Sequence, residues 1–270
     1  MLRLPIYQVD AFTQRLFGGN PAAVCPLARW LPDSQLQRIA AENNLSETAF
    51  FVARDAQSAS HPVYELRWFT PAVEVDLCGH ATLASASVIF TKLSPQADAI
   101  TFHSQSGPLV VTRDGEGYSL DFPAAPPQPW DDQGRVAAAL GLAPEGVQRA
   151  TKAMAVLADE AAVRAVVPNM EKIAALETDG LIVTAPGDTV DFVSRYFAPG
   201  SGIPEDPVTG SAHCTTVPYW AARLGKTHLI AQQVSSRGGD LICDLQGARV
   251  RLWGQTVLYL EGQLLLPADA

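Results

Sequence analysis

The sequence predicts a mixed α+β protein made of two similar halves, each combining short strands with one small-residue helix. Three observations predict this. The first is an internal echo: Arg67-Trp68-Phe69-Thr70-Pro71 returns as Arg195-Tyr196-Phe197-Ala198-Pro199, and Cys78-Gly79-His80-Ala81 as Thr209-Gly210-Ser211-Ala212. The offsets, 195 − 67 = 128 and 209 − 78 = 131, are reconciled by a three-residue insertion between the motifs, so a duplicated fold with a pseudo-two-fold axis follows. The second is the stretch from Ala81 to Phe90, small and apolar all round, as expected of a helix buried inside a sheet or barrel. The third is Phe122-Pro123-Ala124-Ala125-Pro126-Pro127-Gln128-Pro129, which continues neither helix nor strand and marks a boundary. Halves at residues 1–122 and 130–261 are expected, with the terminal residues from about 262 to 270 returning to the first half.

Along the first half, Pro5–Val9 and Ala22–Cys25 read as strands on either side of the Phe17-Gly18-Gly19-Asn20-Pro21 turn, because glycine and Asn-Pro are strong breakers. Leu31–Asn44 reads as a helix, with Asp33 or Ser34 as cap and Leu36, Ile39 and Ala40 on one face. Thr48–Ala53 and Tyr64–Phe69 read as strands separated by a polar turn at Asp55–His61. After the buried helix, strand-like stretches recur at Ala99–His103, Pro108–Thr112 and Tyr118–Phe122.

Composition narrows the function. With 270 residues and 47% hydrophobic content the chain can fill real cores. Against 28 acidic residues there are only 19 basic ones, a net charge of −9 with no basic run, so nucleic acid and anionic membrane surfaces are excluded as partners. No apolar run reaches the length of a membrane span, and the opening MLRLPIYQVDAF interrupts any signal-peptide core with Arg3, Gln8 and Asp10; the default compartment is the cytoplasm. Cys25, Cys78, Cys214 and Cys243 are scattered and read as reduced thiols. Zinc on Cys78, His80, His213 and Cys214 would need unusual ligand spacings, so no metal is expected.

The echoed segments each run strand, loop, glycine, small-residue helix. A helix N-terminus opening with glycine offers unpaired N–H groups to an anion, so two such starts facing one cleft would grip a small carboxylate between Gly79-His80 and Gly210-Ser211. Taken singly, either glycine could merely permit a tight helix start. Glu47, in Leu45-Ser46-Glu47-Thr48-Ala49-Phe50, stands at the head of an apolar strand, a setting that suits a carboxylate to exchange protons near neutral pH; a solvated strand end is the plainer alternative. Asp206 is the second acidic candidate, with an N-cap or Asx-turn role as its alternative. His80, in the first turn of a helix, should stay neutral and donate a hydrogen bond. A Cys78–His80 pair is not expected, because residues i and i+2 point apart in regular structure. His213 reads as structural, and His61, His103 and His228 carry no signal.

Five segments together carry a family resemblance: Ile6-Tyr7-Gln8-Val9-Asp10-Ala11-Phe12, Phe17-Gly18-Gly19-Asn20-Pro21-Ala22-Ala23-Val24, Leu45-Ser46-Glu47-Thr48-Ala49-Phe50, Asp76-Leu77-Cys78-Gly79-His80-Ala81-Thr82 and Glu205-Asp206-Pro207-Val208-Thr209-Gly210-Ser211-Ala212-His213. In this order, and essentially end to end, the chain resembles the PhzF-like isomerases of phenazine biosynthesis. The resemblance implies a diaminopimelate-epimerase-like fold, two half-domains each a curved sheet or barrel around a central helix, in a homodimer. It implies a cofactor-independent isomerase acting on a dihydro-hydroxyanthranilate-like carboxylate, with Glu47 as general acid/base, His80, Asp206 and Ser211 assisting, and Asn20, Gly79 and Gly210 contacting the ligand. The related epimerases use two Cys-Gly motifs; here the second is Thr209-Gly210, and a threonine hydroxyl is far too weakly acidic to replace a thiol. An amino-acid epimerase or dehydratase on the same fold, or a carboxylate-binding protein without turnover, are the competing readings.

Overall fold

The computed structural model describes residues 1–54 and 58–267; Asp55, Ala56 and Gln57 of the expected polar turn lie outside the described residues. The chain divides into two compact units, Met1–Asp121 with Trp253–Ala270, and Phe122–Leu252. The return to the first unit thus begins at Trp253, earlier than residue 262. Trp253 donates from Nε1 to the Asp114 carbonyl at 2.9 Å, and Gly254 packs so closely on the Phe12 ring that a Cβ has no room.

In the first unit the order is β1 (Leu2–Ala11), β2 (Asn20–Leu27), α1 (Asp33–Asn43), β3 (Glu47–Ala53), β4 (Val63–Phe69), β5 (Glu74–Val75), α2 (Gly79–Val88), β6 (Ala99–Ser104), β7 (Gly107–Asp114) and β8 (Gly117–Pro123). The second unit holds β9 (Gln128–Pro129), α3 (Gln133–Leu140), β10 (Gly146–Arg149), β11 (Ala153–Val156), α4 (Glu160–Ala165), α5 (Met170–Ala174), β12 (Leu181–Pro186), β13 (Phe192–Ala198), β14 (Ile203–Asp206), α6 (Gly210–Leu224), β15 (His228–Gln233), β16 (Gly239–Gln246) and β17 (Arg249–Gly254). The last strand, β18 (Thr256–Leu266), pairs antiparallel with β1 along its whole length.

The duplication read from short echoes extends to six strand pairings in each unit. β1–β2 is antiparallel, β2–β3 parallel, β3–β4 and β4–β5 antiparallel, β4–β6 parallel and β6–β7 antiparallel. In the second unit β10–β11, β11–β12, β12–β13, β13–β14, β13–β15 and β15–β16 repeat that series of senses in the same order. The Arg-x-Phe echo is a clamp. Arg67 forks onto Glu74 at 2.7 and 2.7 Å with its guanidinium 5.1 Å from the Phe69 centroid; Arg195 forks onto Glu205 at 2.7 and 2.9 Å, 4.9 Å from Phe197. A bidentate carboxylate and a ring face together fix where β5 and β14 lie on their neighbours.

Strand parity decides what faces each helix. Phe50 and Val52 of β3 pack with Leu36, Ile39 and Ala40 of α1, so Glu47, Ala49 and Phe51 turn to the opposite face, against which α2 packs. The α1 helix is started by Pro32, with no side-chain cap, rather than by Asp33 or Ser34; Asp33 instead accepts from Arg67 at 2.9 Å. All ten residues of α2 are buried. Its hydroxyls are satisfied within the helix, Thr82 donating to the Cys78 carbonyl at 2.6 Å and Ser85 to that of Ala81 at 2.7 Å, which lets so polar a composition sit in a core. In α6, Pro218 cannot donate to the Cys214 carbonyl; the Ala125 N–H of the proline-rich segment takes it at 2.9 Å. Among the described residues no helix is long and apolar enough to cross a membrane.

Candidate functional site

In the first unit the side chains of Asn20, Glu47, Cys78 and His80 meet. Asn20 opens β2 after a turn in which Gly19 has φ +61° and a Cβ would strike the Ala11 carbonyl oxygen, so only glycine brings the chain round this tightly. Phe17 N–H donates to the buried Asp10 carboxylate at 2.9 Å and ties down the same turn. Glu47 opens β3 on the α2 face, and His80 stands in the first turn of α2 with Cys78 as its extended N-cap.

Three contacts set the histidine. Its Nδ1 lies 3.0 Å from Asn20 Nδ2 and 3.4 Å from Cys78 Sγ, and its Nε2 lies 3.3 Å from Glu47 Oε2. An amide nitrogen only donates, so Nδ1 is the acceptor and the ring proton resides on Nε2, facing the carboxylate. Burial drives the His80 pKa from 6.5 down to about 3, so the ring is neutral at physiological pH. The sequence reading expected neutrality from the helix dipole; exclusion of water is the dominant cause.

Cys78 and His80 do touch, contrary to expectation. The divergence of i and i+2 side chains holds inside one regular element, whereas Cys78 is extended, at φ −142° and ψ 109°, and the helix begins one residue later. Glu47, Cys78 and His80 offer one ligand atom each within 4.8 Å, a set different from the four cysteines and histidines weighed for zinc. The Nδ1 of His80 is already engaged by Asn20 and Cys78, while its Nε2 lies 3.3 Å from Glu47 Oε2 without the alignment of a hydrogen bond.

In the second unit Asp206 ends β14 and is buried. It is neither the N-cap of α6, which is Thr209, nor exposed to water; its Oδ2 accepts the Thr209 hydroxyl at 2.5 Å. Gln233, fully buried at the end of β15, joins this loop at three points. It accepts from Thr209 N–H at 2.8 Å and donates through Nε2 to the Asp206 carbonyl at 2.7 Å and to Thr209 Oγ1 at 3.2 Å. His213 is buried under Phe192 with Nδ1 2.8 Å from the Thr209 carbonyl, and burial lowers its pKa to about 4. Gly79 and Gly210 are the first residues of α2 and α6, and neither N-cap side chain bonds the helix start. Ser211 follows, half-buried.

The family model described as phenazine biosynthesis-like protein matches residues 9–262. The chain belongs to the phenazine biosynthesis-like family. An uncharacterized isomerase of Pseudomonas aeruginosa is 49% identical over 265 residues, covering 98% of this chain and 100% of the relative. The crystal structure of a PhzF-family phenazine biosynthesis protein from Enterococcus faecalis superposes with a TM-score of 0.92 at 48% identity, over 98% of this chain and 100% of that one. A hydroxyproline epimerase from Agrobacterium vitis, 8% identical with a TM-score of 0.60 over 97% and 92% of the two chains, shares the fold alone. This phenazine biosynthesis-like chain is therefore an isomerase with the diaminopimelate-epimerase-like fold.

Sequence reasoning missed two residues of the second unit. Gln233 lies in an unremarkable strand, and only the fold brings it to the Asp206–Thr209 loop. Lys152, just before β11, is half-buried with its ammonium 5.7 Å from the centroid of Tyr196, the strand partner of Asp206. Burial lowers its pKa, and Asp179, Cys214 and Asp206 oppose that shift. It forms no ion pair among the described residues, unlike Lys92 and Lys226.

Proposed function

We propose that this family member is a cofactor-independent isomerase that moves a proton between two carbons of a small, dihydro-hydroxyanthranilate-like carboxylate, using Glu47 as its single acid/base. The observation that carries the reading is the Glu47 carboxylate 3.3 Å from the Nε2 of a neutral His80 whose other nitrogen is held by Asn20. Glu47 takes a proton from one carbon, leaving the electron pair delocalised into the conjugated system, and the resulting carboxylic acid returns that proton to a second carbon as the pair shifts. His80 orients the carboxylate throughout and exchanges no proton, since its pKa near 3 keeps it from charging. Asp206 and Ser211 assist binding and proton handling, Asn20 and the backbone at Gly79 and Gly210 contact the ligand, and Lys152 attracts its carboxylate. The working form is a cytoplasmic homodimer.

Thr209, which stands where a two-base epimerase carries its second cysteine, already donates its proton to Asp206. This favours the one-base reading over the epimerase alternative. The test is C–H exchange of a dihydro-hydroxyanthranilate in heavy water. Glu47→Gln keeps the shape without accepting a proton and should lower exchange by roughly 10²–10⁴-fold, the usual loss for a general acid/base. Exchange at the wild-type rate would remove Glu47 as the base.

A further inference from the structure

We propose that Gln233 is a positioning residue of the isomerase, fixing the direction of the Thr209–Asp206 hydrogen bond so that the Asp206 carboxylate is held ready as an acceptor; this rests on Asp206 assisting the reaction. A carboxamide nitrogen donates and never accepts. Because Gln233 Nε2 points one N–H at Thr209 Oγ1 and another at the Asp206 carbonyl, the threonine lone pair is engaged and its own proton must turn to Asp206 Oδ2, 2.5 Å away. The amide cannot rotate end for end, because its Oε1 is pinned by the Thr209 N–H at 2.8 Å, and the side chain is fully buried. Donor sense therefore runs one way, from Gln233 through Thr209 to Asp206.

The ionisable groups of this cluster are Lys152, whose charge is felt by Asp206 and Cys214, Tyr196 across the strand pair, Asp179, which accepts from the Tyr196 hydroxyl through its carbonyl, and His213 beneath Thr209. None of them is altered by the substitutions that test the chain of donors.

The first measurement needs no substrate. The Asp206 carboxyl is titrated by carbon NMR in the full-length protein, in Gln233→Met, in Thr209→Val and in the double variant, with thermal melting to confirm folding. Losing a donor to the charged form raises a carboxyl midpoint, so each single variant should move it up by about one pH unit, and the double variant no further. A midpoint unmoved in Gln233→Met, or shifts that add, overturns the proposal. The second measurement is turnover of a dihydro-hydroxyanthranilate. Both single variants should lose about tenfold or more in kcat with KM changed by less than about threefold, and Thr209→Ser, which keeps the hydroxyl, should recover most of the Thr209→Val loss. An unmoved kcat, or Thr209→Ser as poor as Thr209→Val, also overturns it. Full exchange in Glu47→Gln alongside these losses would sink the one-base reading and leave the Gln233 role standing.

Discussion

Two fully buried, neutral histidines should make the protein acid-sensitive by an amount that the structure sets. His80 and His213 have pKa values lowered by burial from 6.5 to about 3 and about 4. On unfolding each regains its ordinary value, so between pH 6.5 and the folded value the unfolded chain binds the extra proton. Stability is then complete above about pH 6.5 and falls as pH drops towards the folded pKa values. At pH 5 the unfolded ring lies 1.5 units below its pKa while the folded ring remains neutral, and at 1.36 kcal/mol per unit each histidine costs about 2 kcal/mol. That figure is insensitive to the folded value so long as it stays well below 5. The assay is urea unfolding at pH 7.5 and pH 5 for wild type, His80→Asn and His213→Asn, in which the amide occupies the place of Nδ1. Each substitution should shrink the pH-dependent loss by about 2 kcal/mol, whatever it does to stability at pH 7.5. Equal losses in wild type and variants would mean that these rings charge in the folded state, and the water-excluded picture of both clusters would fail.

The Nδ1 of His80 faces two donors, Asn20 at 3.0 Å and Cys78 at 3.4 Å, so Cys78→Ala should retain most turnover, Asn20→Ala should lose about tenfold, and the double variant should lose more than the product; a Cys78→Ala loss equal to that of Glu47→Gln would instead make the thiol an acid/base. Lys152→Met should raise KM for a carboxylate substrate about tenfold or more and spare kcat, whereas Lys152→Arg should restore binding; steady-state kinetics that show a kcat loss alone would exclude a binding role.

What could be read from the sequence is what depends on local pattern. The boundary near Phe122, the buried α2 helix and the place of Glu47 at a strand head follow from proline content, residue size and hydrophobic runs, and the echo at Arg67 and Arg195 located the repeat. The cap of α1 was misread because Asp33 has a stronger partner in Arg67, brought from β4 by the fold. Cys78–His80 was misread because the i, i+2 rule assumes one regular element across a residue where the chain changes direction. Gln233 and Lys152 were missed for a related reason. Glutamine in a strand and lysine before one carry no local signal, and their meaning comes from partners 27 and 24 positions away, for Gln233, and from a ring on another strand, for Lys152.

The repeat also explains why the proposed acid/base Glu47 has no counterpart in the second half. Strand registers align the halves residue by residue: Thr48 pairs with Phe69 and Leu181 with Phe197, and 197 − 69 = 128, the offset of the Arg-x-Phe echo. Leu181 thus occupies the place of Thr48, and Gly180 that of Glu47. Gly180 has φ +144°, and a Cβ there would lie 2.6 Å from both the Phe197 carbonyl oxygen and the Tyr196 hydroxyl. No side chain fits, so the second half cannot supply a carboxylate from the equivalent position. The 131-residue offset puts Ser211 where His80 stands, and the β13–β14 register puts Asp206 where Val75 stands, so each half lacks what the other carries. Gly180→Ala should accordingly destabilise the protein by more than about 1 kcal/mol, through both its backbone angle and its two close neighbours. Gly180→Glu should cost at least as much and create no second base, leaving Glu47→Gln inactive in the same chain. Unfolding midpoints and heavy-water exchange measure both effects. A stable Gly180→Glu, Glu47→Gln double variant that recovers exchange would show that the second half can host the acid/base after all, and that the asymmetry lies in side chains alone rather than in the backbone around Gly180.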